Sequence, residues 1–316
     1  MDKMKKNYEW GEIKEEDILR VTDENGEVHE VFKVEGGDNW SLEFPKFGIA
    51  PDPRINFPKI KNMDVRNDDV FICAYPKAGT HWVWEISKML TRGKPEYDPL
   101  PKESSMLEFH YPEEFEEMTS PRVLNTHLWY KHLPKKAIEK SSKVIFIQRN
   151  PKDVIVSYYH HKTAFYSNYP YTFEQFIHQF QTQSELLDKW FSYTLDWEKM
   201  IDLNEIPILS LYYEDLKEDP VREITKIAKY LEVNYEEKLI EDIAERCNFQ
   251  NMKKANDEVK VDMHAPKGSD EKKSRFMYRK GQVGDWKNYF TVAQSETFDE
   301  YFRKWMSGSK FSYRYS

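Results

Sequence analysis

Phe71-Ile72-Cys73-Ala74-Tyr75-Pro76-Lys77-Ala78-Gly79-Thr80-His81-Trp82 decides the fold. Its apolar start reads as a buried strand. The run breaks at Pro76, passes Lys77 and Gly79, and enters a helix-like pattern at Trp82. A parallel α/β sheet presents a phosphate site in this way: N–H groups of the turn and of the helix N-terminus point outward, and a lysine adds full positive charge. The usual nucleotide-triphosphate loop places its lysine after the last glycine. Here Lys77 precedes the only glycine by two residues. The short loop suits one phosphate rather than a triphosphate chain.

Outward from this segment, strand and helix patterns alternate. Val123-Leu124-Asn125 is a short strand candidate ahead of Thr126-His127, and Val144–Gln148 is apolar enough for a strand covered on both faces. Asn150 suits an N-cap, Pro151 the first helical position, and Asp153 the positive helix end. Val154, Ile155, Tyr158 and Tyr159 then share a helical face. Ile208–Tyr212 reads as another buried strand. Helices are predicted at about 82–91, ending at Gly93, and at about 220–231 and 235–247. Lys253–Tyr278 is polar and punctuated by Gly and Pro, so it reads as a long loop of the kind that covers sites. The predicted class is α/β, a single domain with a central, mainly parallel sheet flanked by helices and a P-loop-like strand–loop–helix. Residues 1–55 are charged, with turn signals at Glu35-Gly36-Gly37-Asp38 and Pro51-Asp52-Pro53; they read as an N-terminal extension packing on a domain of residues 56–316.

With 316 residues, 39% of them hydrophobic, the chain holds ample material for one large core. The net charge of −8 argues against a global nucleic-acid footprint, so an anionic ligand must be held by a local cluster of Lys and Arg. There is no stretch of 18 apolar residues, and no apolar segment follows Met1–Lys6 as a signal peptide requires. The two cysteines, Cys73 and Cys247, read as reduced thiols, and no Cys/His metal motif stands out. The expectation is a cytoplasmic protein with no bound metal and no membrane or nucleic-acid partner.

Two further segments join the first: Phe146-Ile147-Gln148-Arg149-Asn150-Pro151-Lys152-Asp153-Val154-Ile155-Val156-Ser157-Tyr158-Tyr159-His160, and Arg279-Lys280-Gly281-Gln282-Val283-Gly284-Asp285-Trp286-Lys287-Asn288-Tyr289-Phe290-Thr291. With Tyr75–Trp82 they resemble the signatures of the cytosolic sulfotransferases, in family order and spacing, from about Asn56 to the C-terminus. The resemblance implies transfer of a sulfuryl group from 3′-phosphoadenosine-5′-phosphosulfate (PAPS) to a hydroxyl or amine of a small acceptor, leaving 3′-phosphoadenosine-5′-phosphate (PAP).

The resemblance also implies roles. Lys77, Ala78, Gly79, Thr80, His81 and Trp82 match the 5′-phosphosulfate site, with backbone N–H groups from Ala78 to His81 as the cradle. His81 and Ala78 replace the family's usual Thr and Ser. Arg149 and Ser157 match the 3′-phosphate site, and Arg279, Lys280 and Gly281 its second contact. Trp82 and Phe249 match the rings that flank the adenine, and Tyr213 a residue that hydrogen-bonds it. Cys247 and Asn248 replace small hydroxyl residues. His127 matches the catalytic base, Lys77 stabilises the leaving phosphate, and Ser157 holds Lys77 back until the acceptor binds. Asn125 stands where the family usually reads Lys, an additional catalytic cation. That change puts rate in question, and Asn125→Lys is expected to raise turnover. Phe109, Tyr111, Phe165, Tyr166, Tyr169, Tyr171 and Phe276 suit a flat or apolar acceptor. Lys287, Thr291, Val292 and Glu296 match a short homodimer motif. The rival readings are a catalytically silent ligand-binding relative, suggested by Asn125, and a nucleotide kinase. The kinase is disfavoured by the lysine's position and by the second phosphate site.

Overall fold

The computed structural model describes residues 14–22, 28–33, 39–41, 50–165, 169, 171–182, 190–258 and 278–316. Three short strands lie near the N-terminus: β1 (Ile18–Thr22), β2 (Val28–Lys33) and β3 (Asn39–Ser41), paired antiparallel in chain order. The turn expected at Glu35–Asp38 lies outside the described residues. The turn at Pro51–Pro53 opens helix α1 (Pro53–Lys61), whose N-cap Asp52 accepts from Arg54 N at 2.9 Å. Helix α1 runs across position 55 and carries Phe57 and Ile60 into the core.

The strands read from the sequence pair in parallel, but Ile208–Tyr212, expected to be buried, is an edge strand of which only Leu211 is buried. The four are β4 (Val70–Ala74), β5 (Val123–Thr126), β6 (Lys143–Gln148) and β7 (Ile208–Tyr212), in the order β5-β4-β6-β7. Their side chains alternate between two layers, as the two-residue repeat of a strand demands. Phe71, Cys73, Leu124, Val144 and Phe146 face one cluster, in which the Phe146 and Trp197 rings stack at 5.0 Å. Val70, Ile72, Ala74, Val123, Ile145 and Ile147 face the other, under helices α2 (Thr80–Arg92) and α8 (Pro220–Leu231). A strand apolar at every position therefore has both layers to fill. The chain leaves β4 for β5 on one side and later returns to β6 on the other. The crevice for a ligand in such a sheet lies outside the carboxyl ends of the strands at this reversal.

The remaining helices are α3 (Lys135–Glu139), α4 (Pro151–Phe165), α5 (Phe173–Thr182), α6 (Trp190–Leu203), α7 (Tyr213–Glu218), α9 (Glu237–Arg246), α10 (Phe249–Glu258) and α11 (Val292–Trp305). Helix α2 starts two residues before the predicted Trp82 and ends, as predicted, at Gly93, whose φ of 65° suits the left-handed cap. The predicted loop from Lys253 needs correcting: residues 253–258 continue α10. Asn248 Oδ1 accepts from Asn251 N at 2.9 Å and caps that helix, and only Met252 of it is buried, which is why its polar sequence carried no helical stripe. Residues 259–277 lie outside the described residues.

One buried ion pair holds the start of the parallel sheet. Arg122 Nε donates to Asp69 Oδ1 at 2.8 Å, Nη2 meets Oδ2, and both side chains are buried. Between them Val70 N donates to Arg122 O at 2.9 Å. Removing one partner strands a buried charge, so Asp69→Ala is expected to lower unfolding free energy by about 3–5 kcal/mol. Urea denaturation checks this; a loss below about 1 kcal/mol would show the pair to be dispensable.

Candidate active site

The loop after β4 is shaped by two left-handed residues, Lys77 at φ 69° and Gly79 at φ 114°. A Cβ on Gly79 would lie 3.0 Å from Tyr213 Cδ2 and 3.2 Å from Ile147 Cδ1, so both backbone and space require glycine there. Thr80, His81 and Trp82 open α2, and the first N–H groups of a helix have no intrahelical acceptor. They face the same crevice as a positive helix end. Ala78 departs from the expected cradle, because its N–H donates to Tyr75 O at 3.1 Å within the turn. The donor set therefore begins at Gly79. Thr80 Oγ1, His81 Nδ1 and Trp82 Nε1 are buried without a hydrogen-bond partner.

His127 follows β5. Its Nδ1 lies 2.7 Å from Ala74 O, the last residue of β4. A carbonyl only accepts, so Nδ1 carries the hydrogen and Nε2 the lone pair. Burial, then the Lys102 charge, pushes the imidazole down to about 3; the Ala74 bond opposes this and Lys77 adds to it. His127 is thus neutral at physiological pH. Its backbone N donates to Glu108 Oε1 at 2.5 Å. Burial lifts Glu108 to about 7 against that bond, and its Oε2 has no partner. Lys77 Nζ lies 3.5 Å from His161 Nδ1. Burial, then the Lys102 and Arg149 charges, lowers Lys77 to about 8. Ser157 sits one helical turn before His161 on α4, and residues spaced by four share a face.

Asn125 is fully buried near the end of β5 and is engaged throughout. Its Nδ2 donates to Lys102 O at 2.9 Å and Ser105 Oγ at 3.0 Å, while Oδ1 accepts from Lys102 Nζ at 3.2 Å.

Arg149 follows β6. Its two terminal nitrogens donate to Lys77 O at 3.2 Å and Gln282 O at 3.1 Å, its plane lies 4.2 Å from the Tyr213 ring centre, and its buried Nε lacks a partner. Asn150 caps α4 as expected, accepting from Lys152 N at 2.9 Å. Asp153 does more than favour a helix end: it accepts from Gly284 N at 2.7 Å and Trp286 N at 2.9 Å, pinning the C-terminal segment to α4. In that segment Arg279 and Lys280 both bind Asp285, at 2.6 and 2.7 Å. Burial raises Asp285, but hydrogen bonds from Lys280, Asn288 and Arg279 prevail and hold it at about 2. Gly281, at φ 63°, lies against Phe249: an added Cβ would be 2.1 Å from Phe249 Cδ2.

The aromatic residues divide. Trp82 meets Tyr213 edge-on at 5.4 Å, and Phe249 meets Tyr278 at 6.1 Å. Tyr278 also lies 5.4 Å from His81, so a fourth ring lines this slot. Cys247 is buried with its Sγ 3.7 Å from Met89 Sδ, and burial drives its thiol up. Of the acceptor candidates, Tyr169 packs on Tyr159 and Tyr171 at 6.1 and 5.6 Å, and Tyr111 lies under Lys59 at 4.4 Å. Phe109 is half-buried beside Glu108. Tyr166, Phe276 and the Phe165 side chain lie outside the described residues. Sequence reasoning missed Lys102, Glu108, His161 and Tyr278. Glu108 had a signal, a single charge inside Met106-Leu107-Glu108-Phe109; the other three had none.

The site thus gathers residues from the carboxyl ends of four parallel strands: Lys77, His127, Arg149 and Tyr213. A sulfotransferase domain matches residues 67–310. Sulfotransferase 1B1 of Canis lupus familiaris is 40% identical over 275 residues, 82% of this chain and 90% of that one. Sulfotransferase 1A1 of Mus musculus is 36% identical, covering 81% and 90%. The crystal structure of mouse sulfotransferase SULT7A1 complexed with PAP matches with a TM-score of 0.67 at 29% identity, over 88% of this chain and 95% of that one. The chain belongs to the sulfotransferase family, and it is a transferase that moves a sulfuryl group from PAPS to a small acceptor.

The electrostatics set a pH profile. A histidine base of ordinary pKa gives an acid limb near pH 6.5; with His127, neutral down to about 3, in that role, no such limb is expected. Lys77 loses its charge above about 8. kcat/KM, which reports the free enzyme, is therefore expected to stay flat between about pH 5.5 and 7.5 and to fall above about pH 8. A steady-state pH series with a fixed acceptor checks this; an acid limb centred near pH 6.5 would contradict it.

Proposed function

We propose that His127 is the general base and Lys77 the cation beside the departing phosphate, on a small aromatic or apolar alcohol, phenol or amine as acceptor. The observation that carries this reading is the Nδ1 bond to Ala74, which leaves His127 Nε2 as a free base at the strand end that starts the phosphate loop. PAPS supplies an activated sulfuryl group, whose transfer leaves negative charge on the phosphate oxygen. His127 Nε2 takes the acceptor's proton. The Lys77 ammonium and the N–H groups of Gly79, Thr80, His81 and Trp82 hold the 5′ side, joined by the Thr80 hydroxyl.

Arg149 uses two of its five N–H donors on backbone carbonyls, so three remain for the 3′-phosphate, including buried Nε. Ser157, Arg279, Lys280 and the Gly281 backbone complete that side. Trp82 and Phe249 flank the adenine, with Tyr213 between loop and guanidinium. The unpartnered buried atoms of Thr80, His81, Trp82 and Arg149 support this fit, because such atoms are costly without a partner. Tyr169, Tyr171 and Phe109 supply apolar wall for the acceptor. Residues 1–55 act as an extension to the catalytic domain of residues 56–316. Among the described residues no helix is long and apolar enough to cross a membrane, and both cysteines are free and buried; these support a cytoplasmic setting.

The 3′-phosphate contacts give the test. In a thermal-shift titration PAP is expected to stabilise the protein far more than ATP at equal concentration. Arg149→Ala should weaken PAP binding by about 1.5–3 kcal/mol. Equal shifts from ATP and PAP would overturn the nucleotide assignment. Product mass spectrometry with PAPS and a panel of phenols, steroids, alcohols and amines then names the acceptor class.

A homodimer through Lys287, Thr291, Val292 and Glu296 belongs to the same reading. All four are exposed, Lys287 in the turn Asp285–Asn288 and the others at the start of α11, and Val292 is 75% exposed where an apolar residue gains from being covered. Across a two-fold axis each Lys287 would meet the other chain's Glu296. Val292→Glu is expected to give folded monomers by light scattering. A monomeric parent, or an unchanged mass in the variant, would reject this interface.

A further inference from the structure

One ammonium stands in the site where no motif placed it. Lys102 opens a short 3-10 turn, Lys102–Ser105, and is only 4% exposed. Its Nζ donates to Asn125 Oδ1 at 3.2 Å, with Met106 Sδ at 3.7 Å and Glu103 Oε1 at 3.6 Å. Asn125 has no freedom to turn: its Nδ2 is held by the Lys102 carbonyl and the Ser105 hydroxyl, which leaves Oδ1 for the ammonium. An ammonium has three N–H donors, and among the described residues within hydrogen-bond range only the Asn125 oxygen is a strong acceptor. Glu103 balances the charge from beyond that range.

Asn125 lies two residues before His127 on the same strand end. Lys102 is also the foremost charge acting on both His127 and Lys77. Held by Asn125, the Lys102 ammonium is buried beside the strand end from which His127 follows.

We propose that Lys102, held by Asn125, is the second cation of sulfuryl transfer, supplying from position 102 the charge that position 125 lacks. This rests on the sulfotransferase reading of the same site. Asn125 is then the positioning residue that seats Lys102. The expected effect of Asn125→Lys reverses: a further ammonium beside Lys102 and Lys77 displaces the native one and lowers turnover. The competing account is that Lys102 and Glu103 only tie the turn to β5.

Relocating the charge separates the two. Lys102→Met removes the charge at nearly constant shape; Lys102→Met combined with Asn125→Lys returns it from the strand. Two readouts are taken on each: single-turnover chemistry, and equilibrium affinity for PAPS and for PAP without acceptor. Lys102→Met is expected to slow single turnover by about 10–100-fold and to weaken PAPS about 3–10-fold, with PAP changed less than about twofold, because charge-assisted bonds to the sulfuryl group are lost. The double variant recovers most of both, and Asn125→Lys alone is slower than the parent. A rate and a PAPS-to-PAP affinity ratio unchanged in Lys102→Met, or a folded double variant with no recovery, would overturn the proposal. Where Lys102→Met does not fold, Asn125→Lys decides alone: a fall supports the proposal and an equal or higher rate overturns it. A parent that neither binds PAP nor turns over PAPS would instead sink the underlying sulfotransferase reading.

Discussion

The guanidinium of Arg149 is the constraint on which the site depends. It bonds the carbonyl of Lys77 in the phosphate loop and that of Gln282 near the C-terminus, and rests on the Tyr213 ring. Lys77 adopts a left-handed backbone that costs a non-glycine residue about 1–2 kcal/mol. A charged donor on its carbonyl offsets that strain. The C-terminal segment is drawn in by the same group, and Asp153 fixes it from below through Gly284 and Trp286. Loop shape, the Tyr213 ring and the C-terminal segment are thus one assembly around one cation.

The electrostatics are local in a chain whose net charge is −8. Lys77, Lys102, Arg149, Arg279 and Lys280 form a positive crevice, and Glu103 and Asp285 each hold particular cations in place. The same crevice keeps His127 neutral, since burial and neighbouring ammonium groups both oppose a charged imidazole. Glu108 beneath it carries a proton up to about pH 7, so the buried carboxyl adds little negative charge there at mildly acid pH.

The sheet and the glycine loop after β4 were legible because a strand filled on both faces leaves an unbroken apolar run, and because a glycine and a lysine punctuate its end. The helix at 249–258 was not, since a helix with one buried residue looks like a polar loop. The Lys102–Asn125 pairing was out of reach for a different reason. It joins residues 23 positions apart through one bond between side chains and one to a backbone carbonyl, and neither residue type signals a partner. Resemblance pointed to the oddity at Asn125 but located nothing to replace the missing charge. Ala78 shows the same limit on a smaller scale: its residue type gave no hint that its N–H is used within the turn.

Ala74 closes β4, accepts the His127 proton-bearing nitrogen, and precedes Lys77 by three residues. His127 and Lys77 are therefore registered to one another by the end of a single core strand. The proposed acceptor walls come from elsewhere: Phe109 from the turn before β5, and Tyr169 and Tyr171 from the stretch after α4. Changes in those walls leave the spacing of His127 and Lys77 untouched. A lineage built on this frame is free to exchange one acceptor for another by altering loops alone, and the chemistry is inherited intact while the substrate range drifts.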